Sequence, residues 1–400
     1  MAVAGVIAEY NPFHRGHAWQ AAEIRRRLGA DTAIVACMSG NFVQRGDFAL
    51  VNKHSRAEMA LAGGVDLVLE LPTPWSAAGA ERFAQGAVAV LTAAGVATHL
   101  VFGCECGALE PLLAAAEGLE RAEYPEKLRE MTGKGISFPA ARQQALEEIT
   151  GAADCLSRPN NALAVEYLRA MRAQGSAMEP VALPRVGADH DSAELGAYPS
   201  ASAVRRAVLA GEDWRGLLPE MSEEILSREI KAGRGPVCWE NCRRAILARL
   251  RSMGEEDFRP YDGGNEGLYH RFYAAVHRAA TVEELLETAK TKRYPMARLR
   301  RMLVQAYLGV PQAVQGAAPP YIRVLGAGKR GRELLGRMRE TASLPVITKP
   351  GHVRRLGAEV QRVFDQEARC TDLYVLAYPD LEQAGPDGEY AAGPVLTDGL

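Results

Sequence analysis

The sequence predicts an α/β fold, a Rossmann-like parallel sheet followed by a helical, basic C-terminal region with a small α/β end piece. Three observations predict it. Short apolar runs alternate with stretches of helical spacing through the first half of the chain. Each of those runs ends in a loop carrying glycine or proline, as strands of a parallel sheet do. Beyond about Gly211 the pattern changes to helices with arginine-rich faces. The expected units are residues 1–210, 211–310 and 311–400.

Residues 3–8 form an apolar run that closes in the polar, proline-bearing stretch 9–13, a buried first strand. Residues 16–28 have helical spacing, with Glu23, Arg25, Arg26 and Arg27 on the outer face. A second strand is expected at 32–38, a helix at 53–62, a third strand at 66–71, a helix at 80–94 and a fourth strand at 99–102, ending at Gly103. Helices at 161–174 and 200–209 flank a strand at 179–184. Further on, helices are expected at 240–251, 266–279, 282–290 and 296–308, with strands at 321–325, 345–347 and 373–377. Lys53 and Arg56 are expected to face solvent or a polyanionic partner.

With 48% hydrophobic and 24% charged residues among 400, the composition is that of an ordinary globular protein, not a disordered chain. No apolar run reaches the ~20 residues of a membrane span, and the first residues lack the basic leader of a signal peptide. A cytoplasmic enzyme without membrane contact or a stable protein partner is expected. Seven cysteines, an odd number, argue against a disulfide framework. Cys104 and Cys106, like Cys238 and Cys242, lack the paired spacing of a zinc site, so no metal site is expected.

The chemistry concentrates after the first strand. His14-Arg15-Gly16-His17 stands where a strand gives way to a helix. Glycine admits a close backbone approach, a helix N-terminus offers free amides, and imidazoles can donate to phosphate oxygens as charge grows on them. Two other readings remain: a structural histidine pair, and metal ligation, which needs further ligands. A second element, Ser200-Ala201-Ser202-Ala203-Val204-Arg205, sets hydroxyls and an arginine at a helix start. Ser200 or Ser202 caps that helix in the simpler reading. In the functional one, Ser202 and Arg205 join His14 and His17 as catalytic residues and hold the departing phosphates.

These residues bear a resemblance. Residues 5–17, Gly-Val-Ile-Ala-Glu-Tyr-Asn-Pro-Phe-His-Arg-Gly-His, resemble the opening of the bacterial tRNA(Met) cytidine acetate ligase family, part of the HIGH-type nucleotidyltransferase superfamily. Residues 38–46, 66–72, 159–163, 291–294 and 344–349 extend the likeness over nearly the whole chain. The resemblance implies an enzyme that converts acetate and ATP, carried with Mg2+, to acetyl-adenylate and pyrophosphate. It then acetylates the wobble cytidine of elongator tRNA(Met). The family's ATP-binding residues carry over onto Ile7, Ala8, Glu9, Tyr10, Asn11, Pro12, Phe13, His14, Arg15, Gly16, His17, Ala18, Trp19 and Gln20, then onto Gly103, Asn160 or Asn161, and Arg185. Cys104 stands where the family commonly has serine. Asp189-His190-Asp191 is a further polar cluster.

Charge is unevenly spread. Residues 290–355 hold fifteen Lys and Arg against Glu333 and Glu340. Lys290, Lys292, Arg293, Arg298, Arg300 and Arg301, with Tyr294 among them, suit RNA phosphates and a splayed base. A solvated helical face is the plainer reading. Two other functions share the histidine loop: a small-molecule nucleotidyltransferase of cofactor synthesis, and a tRNA-binding protein without catalysis.

Overall fold

The computed structural model describes residues 1–134, 136, 138–151, 155–184 and 200–397. Its centre is an eight-stranded sheet. Parallel strands β1 (Val3–Ala8), β2 (Ala33–Ser39), β5 (Leu67–Leu71), β6 (His99–Cys104) and β7 (Glu179–Pro184) lie in the order β5-β2-β1-β6-β7. β2 and β5 are buried at every position, as expected of parallel strands covered on both faces. A two-stranded hairpin, β3 (Phe42–Val43) and β4 (Asp47–Phe48), stands apart from that sheet, after β2.

The chain winds from β1 outward to β5, then returns across β1 to β6. Strand order therefore reverses between β1 and β6. In an open α/β sheet the crevice at such a reversal, beyond the carboxyl ends of the strands, is where ligands bind.

The C-terminal segment completes this same sheet. β8 (Ile322–Ala327) pairs antiparallel with β5, and β9 (Val346–Ile347) and β10 (Val395–Leu396) pair parallel with β8. Of residues 373–377, expected as a strand, 373–375 instead end the helix Ala358–Val375 and the rest turn. Val360, Val363, Phe364, Glu367, Cys370 and Tyr374 are buried along it at three- and four-residue spacing. A short apolar run hid the last turn of a long amphipathic helix. The helices Arg243–Arg251, Leu268–Val276, Val282–Ala289 and Met296–Leu308 share a second core. Phe42 and Phe48 of the hairpin and Tyr374 also enter it. The hairpin is thus a wedge between the sheet and the helical layer.

Lys53 and Arg56 correct an expectation, because both are buried, at 1% and 0% exposure. Lys53 Nζ lies 2.6 Å from Glu70 Oε1, 2.6 Å from Glu389 Oε2 and 3.3 Å from Glu367 Oε1. Glu367 also accepts from the Thr73 amide at 2.7 Å and the Thr73 hydroxyl at 2.9 Å. Burial pushes the Glu70 carboxyl up, an effect Lys53 only partly offsets. Burial acts to raise Glu389 as well, but Lys53 and Arg323 outweigh it and hold that carboxyl down at about 2. A charge in a dry interior is tolerated only when paired in this way.

Lys53→Met should therefore destabilise the protein by about 3–5 kcal/mol, the usual cost of orphaning buried charges. Urea unfolding checks this, and a loss below about 1 kcal/mol, the worth of an exposed ion pair, would contradict it. Glu389 makes a pH statement too. A depressed carboxyl contributes stability above its unfolded value near 4.5, which is lost as the pH falls toward about 2. Replacing Glu389 with Gln should flatten that acid limb of the melting-temperature curve.

Candidate nucleotide site

The site is built on the loop after β1. Tyr10 sits at φ 45°, and the Asn11-Pro12 peptide bond is cis. Several contacts hold this bend. Arg56 donates to the carbonyls of Glu9, Ser39, Gly40 and Val51, tying the ends of β1 and β2 together. Glu9 Oε1 accepts from the Gln44 amide at 3.0 Å, and Asn11 Oδ1 accepts from the Leu50 amide at 2.8 Å. Phe13, fully buried, packs so closely on Gly63 that a Cβ there would lie 2.1 Å from its ring. Burial lowers the Arg56 guanidinium to about 10, so it stays charged at neutral pH.

The helix Arg15–Leu28 begins with a histidine in place of the usual small capping residue. His14 Nδ1 accepts from the Gly16 amide at 3.0 Å, and His17 Nδ1 accepts from the His14 amide at 3.2 Å. The rings stack at 3.8 Å between centroids. With both Nδ1 atoms accepting, the ring N–H of each neutral histidine lies on Nε2, the donor a phosphate oxygen needs. Those same bonds remove both Nδ1 atoms as metal ligands.

The other predicted residues fall into groups. Ile7 and Ala8 are half-buried at the end of β1, and Gly16, His17, Ala18, Trp19 and Gln20 are half-buried on the first turns of the helix, where Arg15 is exposed. Tyr10, Asn11, Pro12 and Phe13 are buried, so the bend they form can offer a nucleotide little beyond its backbone. Arg205 comes to the same bend: its Nη1 donates to the Asn11 carbonyl at 2.8 Å and its Nη2 to Ser202 Oγ at 3.2 Å. Ser200 caps that helix through the Ala203 amide at 3.1 Å.

Across the crevice, Gly103 is the last residue but one of β6. Asn161, 3% exposed, is spent on the backbone: its Oδ1 accepts from the Glu105 amide at 2.8 Å and the Cys106 amide at 3.3 Å. The Glu105 carboxylate in turn accepts from the Asn160 and Asn161 amides and the Asn160 side chain, so an anion already caps the helix Pro159–Ala173. Arg185, Asp189-His190-Asp191, Tyr198 and Pro199 lie outside the described residues.

The basic row divides. Lys290, Lys292 and Arg293 are exposed. Arg298 and Arg301 pair with Asp262, and Arg298 with Glu266 as well. Tyr294 is buried, its hydroxyl donating to the Glu266 carbonyl at 2.9 Å, and this corrects the expectation of a ring free to stack on a base. Arg300 lies over the Trp239 ring, 4.9 Å from its centroid, and also acts on the Asp47 carboxyl. Trp239 and Asp47 were not singled out from the sequence. The first stands alone in a polar stretch, and the second falls one residue beyond the recognised segment 38–46.

Known proteins share this sequence and this fold over nearly the whole chain. A family model described as HIGH Nucleotidyl Transferase matches residues 1–387. The tRNA(Met) cytidine acetate ligase of Syntrophomonas wolfei is 35% identical over 414 residues, covering 99% of both chains. That of Acetivibrio thermocellus is 36% identical over 408 residues, covering 97% of this chain and 98% of the relative. The crystal structure of Thermotoga maritima TmcAL without ligand matches with a TM-score of 0.93 at 35% identity over 99% of each chain. Its form bound with alpha-thio ATP matches at 0.91 over the same shares. By identity, coverage and the histidine-capped helix at the sheet's reversal point, this chain belongs to the HIGH nucleotidyl transferases and, among them, to the tRNA(Met) cytidine acetate ligase family.

Proposed function

We propose that this chain is an ATP-dependent acetate ligase acting on elongator tRNA(Met) in the cytoplasm. Acetate attacks the α-phosphate of ATP, giving acetyl-adenylate and pyrophosphate. The exocyclic amine of the wobble cytidine then attacks the acetyl carbonyl, giving N4-acetylcytidine and AMP. In this reading residues 1–210 carry the ATP chemistry, 211–310 meet the RNA, and 311–400 complete the sheet.

One observation carries the reading: the stacked His14 and His17, presented by a helix N-terminus at the reversal between β1 and β6, with Arg205 held against the same bend. Two Nε2 donors, helix amides and a guanidinium suit charge growing on a triphosphate. Ser202 positions Arg205 beside the departing pyrophosphate. Gly103 permits close approach at β6, and with Glu105 already capping its helix, Asn160 suits the ribose or base better than a phosphate. Arg185 is proposed as a further nucleotide contact. Mg2+ belongs to the substrate, carried on ATP oxygens as is usual for this ion. Among the described residues, no group of three or more His, Cys, Asp or Glu could hold it by protein ligands alone. Lys290, Lys292, Arg293 and Arg300 are proposed to meet tRNA phosphates, with Arg298 and Arg301 bracing that face through Asp262.

The deciding assay supplies labelled acetate, ATP and bulk tRNA, then digests the RNA. Acetylated cytidine is expected; acetate-independent nucleotide turnover on another acceptor, or tRNA retention without turnover, would overturn the reading. His17→Ala should slow adenylate formation by about 100-fold or more while tRNA affinity holds. In Gly16→Ala, the new Cβ would lie 2.8 Å from His14 Cε1 and turn that ring out of its cap. ATP affinity should fall while the melting temperature changes little, because one lost cap costs only about 1 kcal/mol. Arg300→Ala should weaken tRNA binding and reduce its log–log salt slope by about one.

A further inference from the structure

We propose that Asp47 is the catalytic base of the second half-reaction, accepting the proton of the cytidine amine as the acetyl group transfers. This rests on the acetate-ligase reading and assigns an atom to a step which that reading leaves without one.

The hairpin fixes Asp47 between the two halves of the reaction. On one side, the Gln44 amide is bound by Glu9 at the end of β1. On the other, Gly46, at φ +74°, lies against the helix Met296–Leu308 so tightly that an added Cβ would sit 2.3 Å from the Arg301 nitrogen. Beneath, the Phe42 and Phe48 rings meet edge to face at 4.8 Å, and both pack on Tyr374. Asp47, half-buried, thus sits in a hairpin fixed at both ends and from beneath. Its Oδ1 accepts from the Phe48 amide at 2.9 Å, while Oδ2 accepts no hydrogen bond among the described residues.

The charges acting on this carboxyl come from both substrates' sides. The positive charges of Arg205, at the nucleotide bend, and of Arg300, on the basic helix, act on it, with Glu9 adding its repulsion; Asp47 in turn raises the Cys238 thiol. Burial pushes the Asp47 carboxyl above its ordinary value, only partly offset by Arg205 and Arg300. A carboxylate so raised is a better base near neutral pH, while the two guanidiniums still favour its charged form.

Other groups at this edge of the sheet are set differently. Both histidine Nδ1 atoms accept backbone amides, which leaves Nε2 as a donor. Glu9 lies at the nucleotide bend and holds the Gln44 amide through Oε1, as Asp47 holds the Phe48 amide, and Glu105 accepts from Asn160 and Asn161. Asp47 is acted on by both Arg205 and Arg300, and among the described residues its Oδ2 accepts no hydrogen bond. The step balances. The amine nitrogen bonds to the acetyl carbon, the carbon–oxygen bond to phosphate breaks with its electron pair leaving on AMP, and the nitrogen's proton passes to Oδ2.

The test separates the half-reactions in the full chain. Acetate-dependent exchange of labelled pyrophosphate into ATP reads the first; single-turnover transfer from preformed acetyl-adenylate to tRNA(Met) reads the second. In Asp47→Asn, transfer should slow by about 100-fold or more, as loss of a general base does, and exchange should fall far less. Wild-type transfer should rise with pH along a limb that the variant lacks. Asp47→Glu should recover part of the rate with the limb displaced. Parallel loss of both half-reactions, an unchanged pH profile, or transfer by Asp47→Asn near the wild-type rate would overturn the proposal. If wild-type protein acetylates no tRNA at all, the acetate-ligase reading itself falls and this assignment goes with it. If wild-type acetylates and Asp47→Asn does so equally, Asp47 alone is dismissed.

Discussion

A single buried guanidinium sets the geometry of the nucleotide crevice. Arg56 has no carboxylate partner among the described residues; it spends its donors on the carbonyls of Glu9, Ser39, Gly40 and Val51. Those carbonyls lie at the carboxyl ends of β1 and β2 and at the entry to the helix Lys53–Ala62, which carries Arg56 itself. Strand ends that leave a sheet have backbone oxygens with no ladder partner, and burying them unpaired is costly. Arg56 satisfies them and places positive charge beneath a bend suited to a triphosphate. The abrupt turn through Tyr10 and Asn11 is sustained from below, so the histidines above it need not contribute to holding it.

The hairpin after β2 extends this logic outward. Gln44 touches the nucleotide bend, Gly46 touches the basic helix, and the aromatic pair beneath locks both distances. The bend after β1 and the basic helix are thereby held in register by one short element. Rigid support of this kind is what positioning catalysis requires.

Much of this was legible in the sequence. Strands β1, β2, β5 and β6 announced themselves because continuous apolar runs are what a doubly covered strand demands, while β7, at the sheet edge with only Leu183 buried, was marked by its bounding prolines. The histidine motif was legible because its spacing and its place after a strand coincide. What remained hidden depends on distant pairing. Lys53 and Arg56 read as surface charges because their partners come from the backbone or from as far along the chain as Glu389. Tyr294 read as a free ring because nothing local indicates that Glu266 holds its hydroxyl. The helix ending at Val375 read as a strand because its last apolar residues were seen apart from the period before them.

The antiparallel insertion of β8 beside β5 has a consequence for how the molecule comes into being. The edge of β5 and the ammonium group of Lys53, which Glu70 already pairs, wait for further partners that emerge only after more than two hundred further residues have been synthesised. During translation the N-terminal half must carry an open sheet margin and an incomplete charge knot until Arg323, Glu367 and Glu389 leave the ribosome. A nascent or truncated chain therefore carries an unpaired β5 edge and an incompletely neutralised interior charge, both of which only the nearly finished polypeptide resolves.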